Sequence, residues 1–488
     1  MSGQAGNTLG RSSSPRTYGR VFLDIFGKQL IVGDSVVDKK QLGARDMIKV
    51  RFAAIICCLL GMAIAGQAQQ KSESKSYVLK AARMFDGKSN AVTSPGVVIV
   101  TDGQIVGVGA NAAVPAGAQA IDLGDATLLP GFIDAHTHLT MMYSEDYARA
   151  ALEGLRKPIP EMALDASVNA RVTLMAGFTT VRDVGSAHYL DAGLRNAINR
   201  GVVPGPRMLV AVHAIGATGG HCDETGYREG ALGPETGPDV GVVNGADEAR
   251  RAVRLAHKYG ATVIKTCATG GVLSLADAVD TPQLTQAELD ALVDEAHALK
   301  LKAAAHAHGN EGAKRAVMAG IDSIEHGSFL QDDTLQLMKT KGTYYVPTLM
   351  AVQGLTEQIA KGVAIPPAIR VKADAAIASV HKTFAKAVTM GVKIGLGTDA
   401  AVYPHGRNAE EFHQMVDLGM KPIDALKAGT SNDADLLGLA DKIGTLEAGK
   451  LADVVAVPGD PSQNIRQTEH VFFVMKEGKI YKNEPAAK

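Results

Sequence analysis

Tryptophan is absent from this chain of 488 residues, and aromatic residues of all kinds make up only 5 % of it. That scarcity argues against a large stacking pocket for an aromatic ligand, although a single Phe or Tyr would suffice for a small one. The formal net charge is only -1, from 50 basic and 51 acidic residues. Because the folded part also lacks a dense Lys/Arg run, we do not expect nucleic acid as a partner.

Cysteine is scarce as well, with four in the whole chain. Four are too few for a disulfide framework, and Cys57 and Cys58 lie in an apolar stretch that we expect to be removed. Cys222 and Cys267 are therefore expected to be free thiols, with Cys267 buried.

The apolar stretch FAAIICCLLGMAIAG is shorter than the roughly 20 residues needed to span a bilayer. Lys49 and Arg51 precede it and the small-residue site Gly66-Gln67-Ala68 follows, which predicts a signal peptide at 47–68 and export to the periplasm or the medium. A membrane anchor is the alternative, and a lipoprotein is disfavoured because the two cysteines lie in mid-run. Residues 1–46 are a leader of uncertain status, either an over-extended start or a vector-derived segment.

The remaining composition is that of a globular protein, with 46 % hydrophobic residues and 53 glycines. Residues 77–130 alternate short β-rich runs with Asp-Gly and other Gly-rich turns. The same pattern returns at 444–484, with short strands broken by Gly and Pro. We therefore expect both chain ends to form one small β-sandwich domain.

Between these ends, residues 131–443 alternate strand-like runs with Ala-rich helical stretches. This pattern predicts an α/β fold with a parallel sheet, and about 310 residues suit a (β/α)8 TIM barrel. A doubly wound open sheet is the alternative. Polar residues repeatedly follow the strand-like runs, where barrel enzymes carry their chemistry, which favours the barrel.

Imidazoles and a carboxylate end several of these runs. His136 and His138 in GFIDAHTHL are two residues apart, so they project from the same face of a strand. Taken alone, this pair has an ordinary reading as a polar strand end. His306, His326 and Asp399 end three further runs, however, and such ligands suit Zn²⁺ or a similar divalent ion.

Lys265 in ATVIKTCATGG is the unusual member, because an ammonium group beside a cation would be repelled and poorly solvated. A lysine that snorkels outward is the ordinary alternative. Together with LLPGFIDAHTHL, the two later histidines, GTDA and GTLEAGKLADVVAV, this lysine makes the sequence resemble the amidohydrolase superfamily from Tyr77 to Tyr481. TGGH at 218–221 and AHAHG at 305–309 are similar to the imidazolonepropionase-related branch. That branch contains metal-dependent Xaa-Pro dipeptidases, Xaa-Arg/Lys carboxypeptidases and ochratoxinase-type amidases.

The resemblance implies a centre of two divalent metal ions, for which Zn²⁺, Mn²⁺ and Co²⁺ are all acceptable. By that resemblance His136, His138 and Asp399 hold one ion and His306 and His326 the other, while N6-carboxylated Lys265 bridges them. A metal-bridging hydroxide would attack an amide carbonyl. Asp399 would take its proton and pass it to the leaving amine.

Two further histidines are candidates for substrate contacts. His308 is two residues from His306 and shares its face, which suggests a substrate contact. His221 follows two glycines that free the backbone to turn inward, so it is a candidate donor to the carbonyl oxygen. The alternative for both is a hydrogen bond to a neighbouring loop. His405 is expected at the pocket mouth, and structural or surface roles are expected for His188, His213, His297 and His413.

The function that these residues favour is hydrolysis of a peptide-like amide with release of a C-terminal amino acid. The substrate would be a small peptide or an N-acyl amino acid, as for a dipeptidase, a carboxypeptidase or an ochratoxin-type amidase. A cyclic-amide hydrolase of the imidazolonepropionase type and a deaminase are disfavoured by Lys265, since such sites commonly use one metal ion. A non-enzymatic binding protein is the remaining alternative, and we would expect such a protein to lack at least one of the metal-ligating residues. A homo-oligomer is left open.

Overall fold

The computed structural model describes residues 21–22, 29–32, 35–38 and 75–485, except 229, 231, 234 and 235. The chain divides into two compact units, Met1–Glu73 and Ser74–Lys488. In the first unit, three short strands form an antiparallel sheet in the order β1-β2-β3. They are β1 (Val21–Phe22), β2 (Gln29–Val32) and β3 (Ser35–Asp38).

The rest of the leader and the predicted signal peptide at 47–68 lie outside the described residues. Among the helices that the structure does describe, none combines the length and the apolar character that crossing a membrane requires.

The second unit begins with six short strands. They are β4 (Ser76–Ala81), β5 (Arg83–Met84), β6 (Gly96–Thr101), β7 (Gln104–Val108), β8 (Gln119–Asp122) and β9 (Ala126–Pro130). The predicted Asp-Gly turn joins β6 to β7, with Asp102 and Gly103 both at positive φ as a two-residue hairpin requires. Four of these strands form a sheet in the order β7-β6-β4-β8.

Nine strands follow in the middle of the chain. They are β10 (Phe132–Thr137), β11 (Phe178–Asp183), β12 (Arg207–Val210), β13 (Ala214–Ala217), β14 (Val242–Val243), β15 (Val263–Cys267), β16 (Lys302–Ala307), β17 (Ser323–His326) and β18 (Tyr344–Val346). All their pairings are parallel, as the alternation of strand and helix predicted.

These parallel strands lie in two sheets, β10-β11-β12 and β14-β13-β15-β16-β17-β18. Two isolated parallel bridges, Tyr345 with Ile394 and Thr137 with Ala400, connect residues 394–400 to β18 and to β10. Within residues 75–485 the strands are therefore divided between two sheets rather than joined in a single closed one. The carboxyl ends of β10 and β18 nevertheless share one neighbouring segment, which carries Asp399.

Helices lie between the strands and after them. They are α1 (Tyr147–Arg156), α2 (Ile159–Met175), α3 (Leu190–Asn199), α4 (Ala246–Lys258), α5 (Gln286–Ala298), α6 (Asn310–Ala319), α7 (Asp332–Lys341), α8 (Leu349–Ala360), α9 (Pro367–Met390), α10 (Glu410–Asp417), α11 (Pro422–Lys427) and α12 (Asp433–Leu436). A π-helical turn spans Ala428–Asn432 and a 3₁₀ helix spans Ile465–His470.

Local sequence explains these helices. In α4 the buried residues Ala249, Ala252, Val253 and Ala256 recur at helical spacing, so one face of this helix is buried. The amino end of α5 carries a capping box, in which Thr285 and Glu288 satisfy each other's backbone N–H groups.

The last three strands bring the chain ends together. They are β19 (Val454–Pro458), β20 (Phe473–Lys476) and β21 (Lys479–Asn483), in the sheet order β21-β20-β19-β9-β5. The antiparallel pairing of β9 with β19 shows that both ends of the second unit contribute to one sheet. Buried side chains from this sheet and the β4 sheet share one apolar cluster, including Leu79 and Phe473. The β-sandwich arrangement and the exact domain limits stay predictions.

Candidate active site

His136 at the end of β10, His138 just after this strand and the carboxylate of Asp399 lie close together. His136 Nε2 lies 3.5 Å and His138 Nε2 lies 3.4 Å from Asp399 Oδ1. His136, His326 and Asp399 each offer one possible ligand atom. These three atoms lie within 4.8 Å of one another and form a possible metal site. Residues distant in the sequence thus meet at the carboxyl ends of strands from both parallel sheets.

Each of three histidines has one ring nitrogen held by an oxygen atom. His136 Nδ1 lies 2.7 Å from Glu325 Oε2, and His138 Nδ1 lies 3.1 Å from the Gly185 carbonyl oxygen. His326 Nδ1 lies 2.8 Å from the hydroxyl of Thr348. Carboxylate and carbonyl oxygens only accept, so Nδ1 donates and Nε2 keeps its lone pair. Such hydrogen bonds orient the histidine ligands of metal sites.

Glu325 is held as a carboxylate within the protein. Burial raises the pKa of this carboxyl, but the charge of buried Arg182 and the hydrogen bond from His136 outweigh burial and lower it to about 2. Arg182 Nη2 donates to Glu325 Oε1 at 2.8 Å, and both side chains are fully buried. Glu325 is therefore an acceptor for His136 at neutral pH.

The rings of His306 and His308 also lie beside the ring of His326. The His306 ring centroid is 4.5 Å from that of His326, and His306 Nε2 lies 3.2 Å from the Gly270 carbonyl oxygen, which leaves Nδ1 unprotonated in the neutral ring. The His308 ring stacks on His326 at 5.0 Å, and its Nδ1 lies 2.8 Å from the Ser328 hydroxyl. The structure thus brings His306, His308 and His326 into one cluster.

Lys265 lies at the centre of β15 and is only 3 % exposed. Burial lowers the pKa of its ammonium group to about 8, although the charges of Glu325 and Asp399 act in the opposite direction. Its Nζ hydrogen-bonds to no described residue. A buried amine that gives up its proton this readily is suited to carbamate formation, in which the neutral nitrogen attacks CO₂.

The site favours neutral imidazoles and an ionised carboxylate. Burial lowers the pKa of His138 to about 4 and of His308 to about 3, and it holds the pKa of His306 and His326 well below the usual value. For Asp399, burial raises the pKa, but the nearby His136 ring and the charges of His138 and Lys265 outweigh burial and lower it. These are the protonation states that divalent cations require of their ligands.

Three residues of the site have a left-handed backbone conformation that non-glycine residues rarely adopt. The φ angles are 69° for His326, 49° for Thr348 and 57° for Asp399. The Asp399 N–H donates to the His136 carbonyl oxygen at 2.7 Å, which fixes the turn. Backbone strain of this kind concentrates at functional sites.

His221 also reaches this cluster. Its ring centroid lies 4.2 Å from that of His306. The ring lies against the backbone of Gly271, where a Cβ atom would be only 2.1 Å from His221 Nδ1, so a larger residue at this position would displace the ring. Neither ring nitrogen hydrogen-bonds to a described residue, which leaves Nε2 for a substrate.

The expectation of free thiols was wrong, because Cys222 and Cys267 form a disulfide with a Cα–Cα distance of 5.9 Å. The two residues are separated by 45 positions in the sequence. They meet because β13, which precedes Cys222, pairs with β15, in which Cys267 lies. Cys267 is buried, as expected.

The other histidines have ordinary partners. His405 Nε2 lies 3.1 Å from the carbonyl oxygen of Met141, three residues after His138. Oxygen atoms also lie beside ring nitrogens of His213, His297 and His413. Structural roles for these three agree with the sequence analysis.

Sequence reasoning missed Arg182, Glu325 and Thr348. Glu325 immediately precedes His326, and alternation along a strand would turn it away from that residue. A carboxylate in the middle of a buried strand, directly after Ile324, was the available signal, because such a group needs a charged or hydrogen-bonding partner.

Comparison with known proteins identifies the family. A model of the amidohydrolase family matches residues 127–482. The chain belongs to the amidohydrolase family. An ochratoxinase from Aspergillus niger is 31 % identical over 432 residues, which cover 84 % of this chain and 87 % of the relative.

Two solved structures also match most of the chain. A Xaa-Pro dipeptidase with methionine in its active site is 40 % identical, with a TM-score of 0.78, and the match covers 84 % of this chain and 100 % of that one. A prolidase complexed with N-methylphosphonate-L-proline is 28 % identical, with a TM-score of 0.74 and the same shares of coverage. These amidohydrolases imply a TIM-barrel fold of mixed α/β content, and they make this chain a hydrolase that acts on C–N bonds.

Amidohydrolases are generally metal-dependent, and the donor set of this site is compatible with a metal ion. His136, His138 and His326 each present Nε2 toward one region, because Nδ1 is engaged elsewhere. Neutral nitrogen ligands and a carboxylate oxygen are a common set for Zn²⁺ and similar ions.

Proposed function

We propose that this amidohydrolase hydrolyses the amide bond of a small peptide or an N-acyl amino acid and releases the C-terminal amino acid. The convergence of His136, His138 and Asp399, with each imidazole oriented by a second hydrogen bond, carries the proposal. Likeness to a Xaa-Pro dipeptidase and to an ochratoxinase supports an amide rather than another C–N bond.

The residues suit a centre of two divalent ions. In our assignment His136, His138 and Asp399 would hold one ion and His306 and His326 the other, and carboxylated Lys265 would be a ligand shared by both. The short distance between the His306 and His326 rings, 4.5 Å, supports their pairing. When bound, such ions lower the pKa of a coordinated water and polarise the carbonyl group of the substrate.

Carboxylation of Lys265 explains why a lysine is tolerated among cation ligands. The neutral amine attacks CO₂, loses a proton and becomes a carbamate, which replaces a positive charge by a negative one. Reloading metal-free protein with Zn²⁺ should therefore need bicarbonate to restore activity. Equal recovery in CO₂-free buffer would contradict the carbamate.

The remaining residues handle the proton and the substrate. Asp399 accepts the proton of the attacking water and passes it to the leaving nitrogen, because its low pKa keeps it ionised at the start. His221 Nε2 donates to the carbonyl oxygen as negative charge develops there. His308, held by the Ser328 hydroxyl, contacts the substrate beside His306.

The test is turnover of metal-replete protein on three kinds of substrate: Xaa-Pro dipeptides, peptides ending in Arg or Lys, and N-acyl phenylalanines. Release of a free amino acid from at least one class is expected. The control is His413→Gln, because His413 bonds to Glu469 and takes no part in the site, so this variant should retain turnover. Failure on every amide would contradict the proposal, and hydrolysis of a cyclic amide alone would favour the imidazolonepropionase-like alternative.

We also propose that the eight-stranded barrel closes in the functional enzyme, that both chain ends form a β-sandwich, and that the protein is exported. The disulfide between Cys222 and Cys267 supports export, since structural disulfides form mainly in oxidising compartments. Fractionation of cells that express the full chain tests export. A protein found wholly in the cytoplasm with its cysteines reduced would contradict it.

A further inference from the structure

Cys222 and Cys267 join two elements of the candidate site. Cys222 directly follows His221, and Cys267 is the last residue of β15, two positions after Lys265. A Cβ atom on Gly216 of β13 would lie only 2.7 Å from Cys222 Cβ, so Cys222 is packed closely between β13 and β15. The disulfide therefore ties the backbone beside His221 to the strand that carries Lys265.

The His221 ring has no hydrogen bond to a described residue that would fix its orientation. Its position depends instead on packing between the Gly271 backbone and the His306 ring and on the course of its own backbone. The backbone is held at two adjacent points, because the His221 N–H donates to Gln283 Oε1 at 2.9 Å and the next residue is covalently linked.

We propose that the disulfide is a positioning element for His221, holding its imidazole against His306 where it can reach the substrate carbonyl. This inference rests on the proposed amide hydrolysis for its catalytic consequence. A misplacement of about 1 Å can cost about 100-fold in rate at an active site. Cys222 and Cys267 are thus positioning residues, and the enzyme needs an oxidising compartment to reach full activity.

Formation of this bond removes two protons and two electrons from the two thiols. A disulfide in the oxidising compartment accepts them by thiol–disulfide exchange and is itself reduced to two thiols. A reducing agent such as a phosphine reverses the step. The phosphine is oxidised to its oxide with an oxygen atom from water, and two thiols are restored.

The first experiment maps the cysteines by mass spectrometry of peptides from the unreduced full chain. A linked peptide containing Cys222 and Cys267 is expected, and free thiols at both positions would overturn the proposal. Mapping the reaction of His221 with diethyl pyrocarbonate then tests its position without any assay of turnover. His221 should react slowly in the oxidised protein and at least several-fold faster in Cys222→Ala/Cys267→Ala, and equal rates would overturn the proposal.

The second experiment is a double-mutant cycle on turnover of the best amide substrate. His221→Ala should lower kcat about 100-fold. Cys222→Ala/Cys267→Ala should lower kcat about tenfold with little change in KM, but only about twofold or less when His221 is already Ala. Equal losses in both backgrounds would show a general structural role and overturn the proposal, as would full activity of the double alanine variant.

Phosphine treatment of the wild-type protein should reproduce the loss of turnover. The control is the same treatment of Cys222→Ala/Cys267→Ala, which should have no further effect. Inactivity of the oxidised wild type on every amide would reject the proposed function alone, because the peptide map and the His221 labelling rates would still decide the position of the ring.

Discussion

His136 Nδ1 lies 2.7 Å from Glu325 Oε2, and both side chains are buried. Because Arg182 holds Glu325 in its ionised form, this contact fixes the tautomer of His136 and directs Nε2 toward Asp399. A residue outside the ligand set thus determines how a ligand is presented.

Replacement of Glu325 by Gln should weaken metal binding. The amide no longer obliges His136 Nδ1 to donate, and it leaves Arg182 buried without a charged partner. We expect a loss of about 10-fold to 100-fold in metal affinity and about 3 kcal/mol in the free energy of unfolding. Metal content after dialysis and chemical denaturation measure the two effects, with exposed Glu311→Gln as the control. Unchanged metal affinity would contradict this role of Glu325.

Thr348 should orient His326 in a similar way. Its hydroxyl donates to the Pro347 carbonyl oxygen at 2.8 Å, so it accepts from His326 Nδ1. Thr348→Val removes the acceptor and should lower metal affinity about 10-fold or more, whereas Thr348→Ser should preserve it. Thr343→Val is the matched control, because its buried hydroxyl bonds to the Ile321 carbonyl oxygen and to no other residue that the structure describes. Wild-type affinity in Thr348→Val would refute the assignment.

Asp399 should be required for turnover beyond any contribution to metal binding. Asp399→Asn cannot accept the proton, so kcat should fall about 100-fold or more. The measurement is kcat together with metal content of the same sample, so that loss of metal is recognised. Full turnover by Asp399→Asn with metal still bound would exclude the proton-transfer role.

The pH dependence of stability should reveal Glu411. Burial raises the pKa of this carboxyl to about 8, with the charges of Asp134 and Asp399 acting in the same direction, although the N–H groups of Leu349 and Met350 donate to it. Between the ordinary value of 4.5 and about 8 the folded protein therefore holds a proton that the unfolded chain has released. The free energy of unfolding attributable to Glu411 must then fall as pH rises through this range.

Glu411→Gln removes that dependence. In metal-free protein, the variant should gain stability relative to the wild type as pH rises from about 4.5 to about 8, by up to about 4 kcal/mol. Chemical denaturation at several pH values measures the difference, and Glu311→Gln on the exposed start of α6 controls for the loss of one charge. A difference that is constant with pH would show that Glu411 does not hold a proton.

The sequence was informative wherever a feature depended on one strand or one turn. The spacing of two between His136 and His138 predicted a common face, and the distances of both rings to Asp399 agree. The Asp102-Gly103 pair predicted a hairpin because its conformation is local.

Features that depend on which strands are neighbours were not predicted. The contact between Glu325 and His136 spans 189 positions and joins strands of different sheets. The disulfide of Cys222 with Cys267 requires β13 to lie beside β15. The segment between these two strands is not a regular strand–helix unit, so the sequence pattern did not predict that they are neighbours. The low cysteine content of the chain gave too little reason to expect this disulfide.

The most direct test of the central claim is a titration of metal-free protein with Zn²⁺ in the presence of bicarbonate, with bound metal and amide hydrolysis followed together. Our account predicts that hydrolysis rises until about two ions are bound per chain, and that chelation abolishes it. Maximal hydrolysis with one ion bound per chain, or hydrolysis by protein free of metal, would contradict the account.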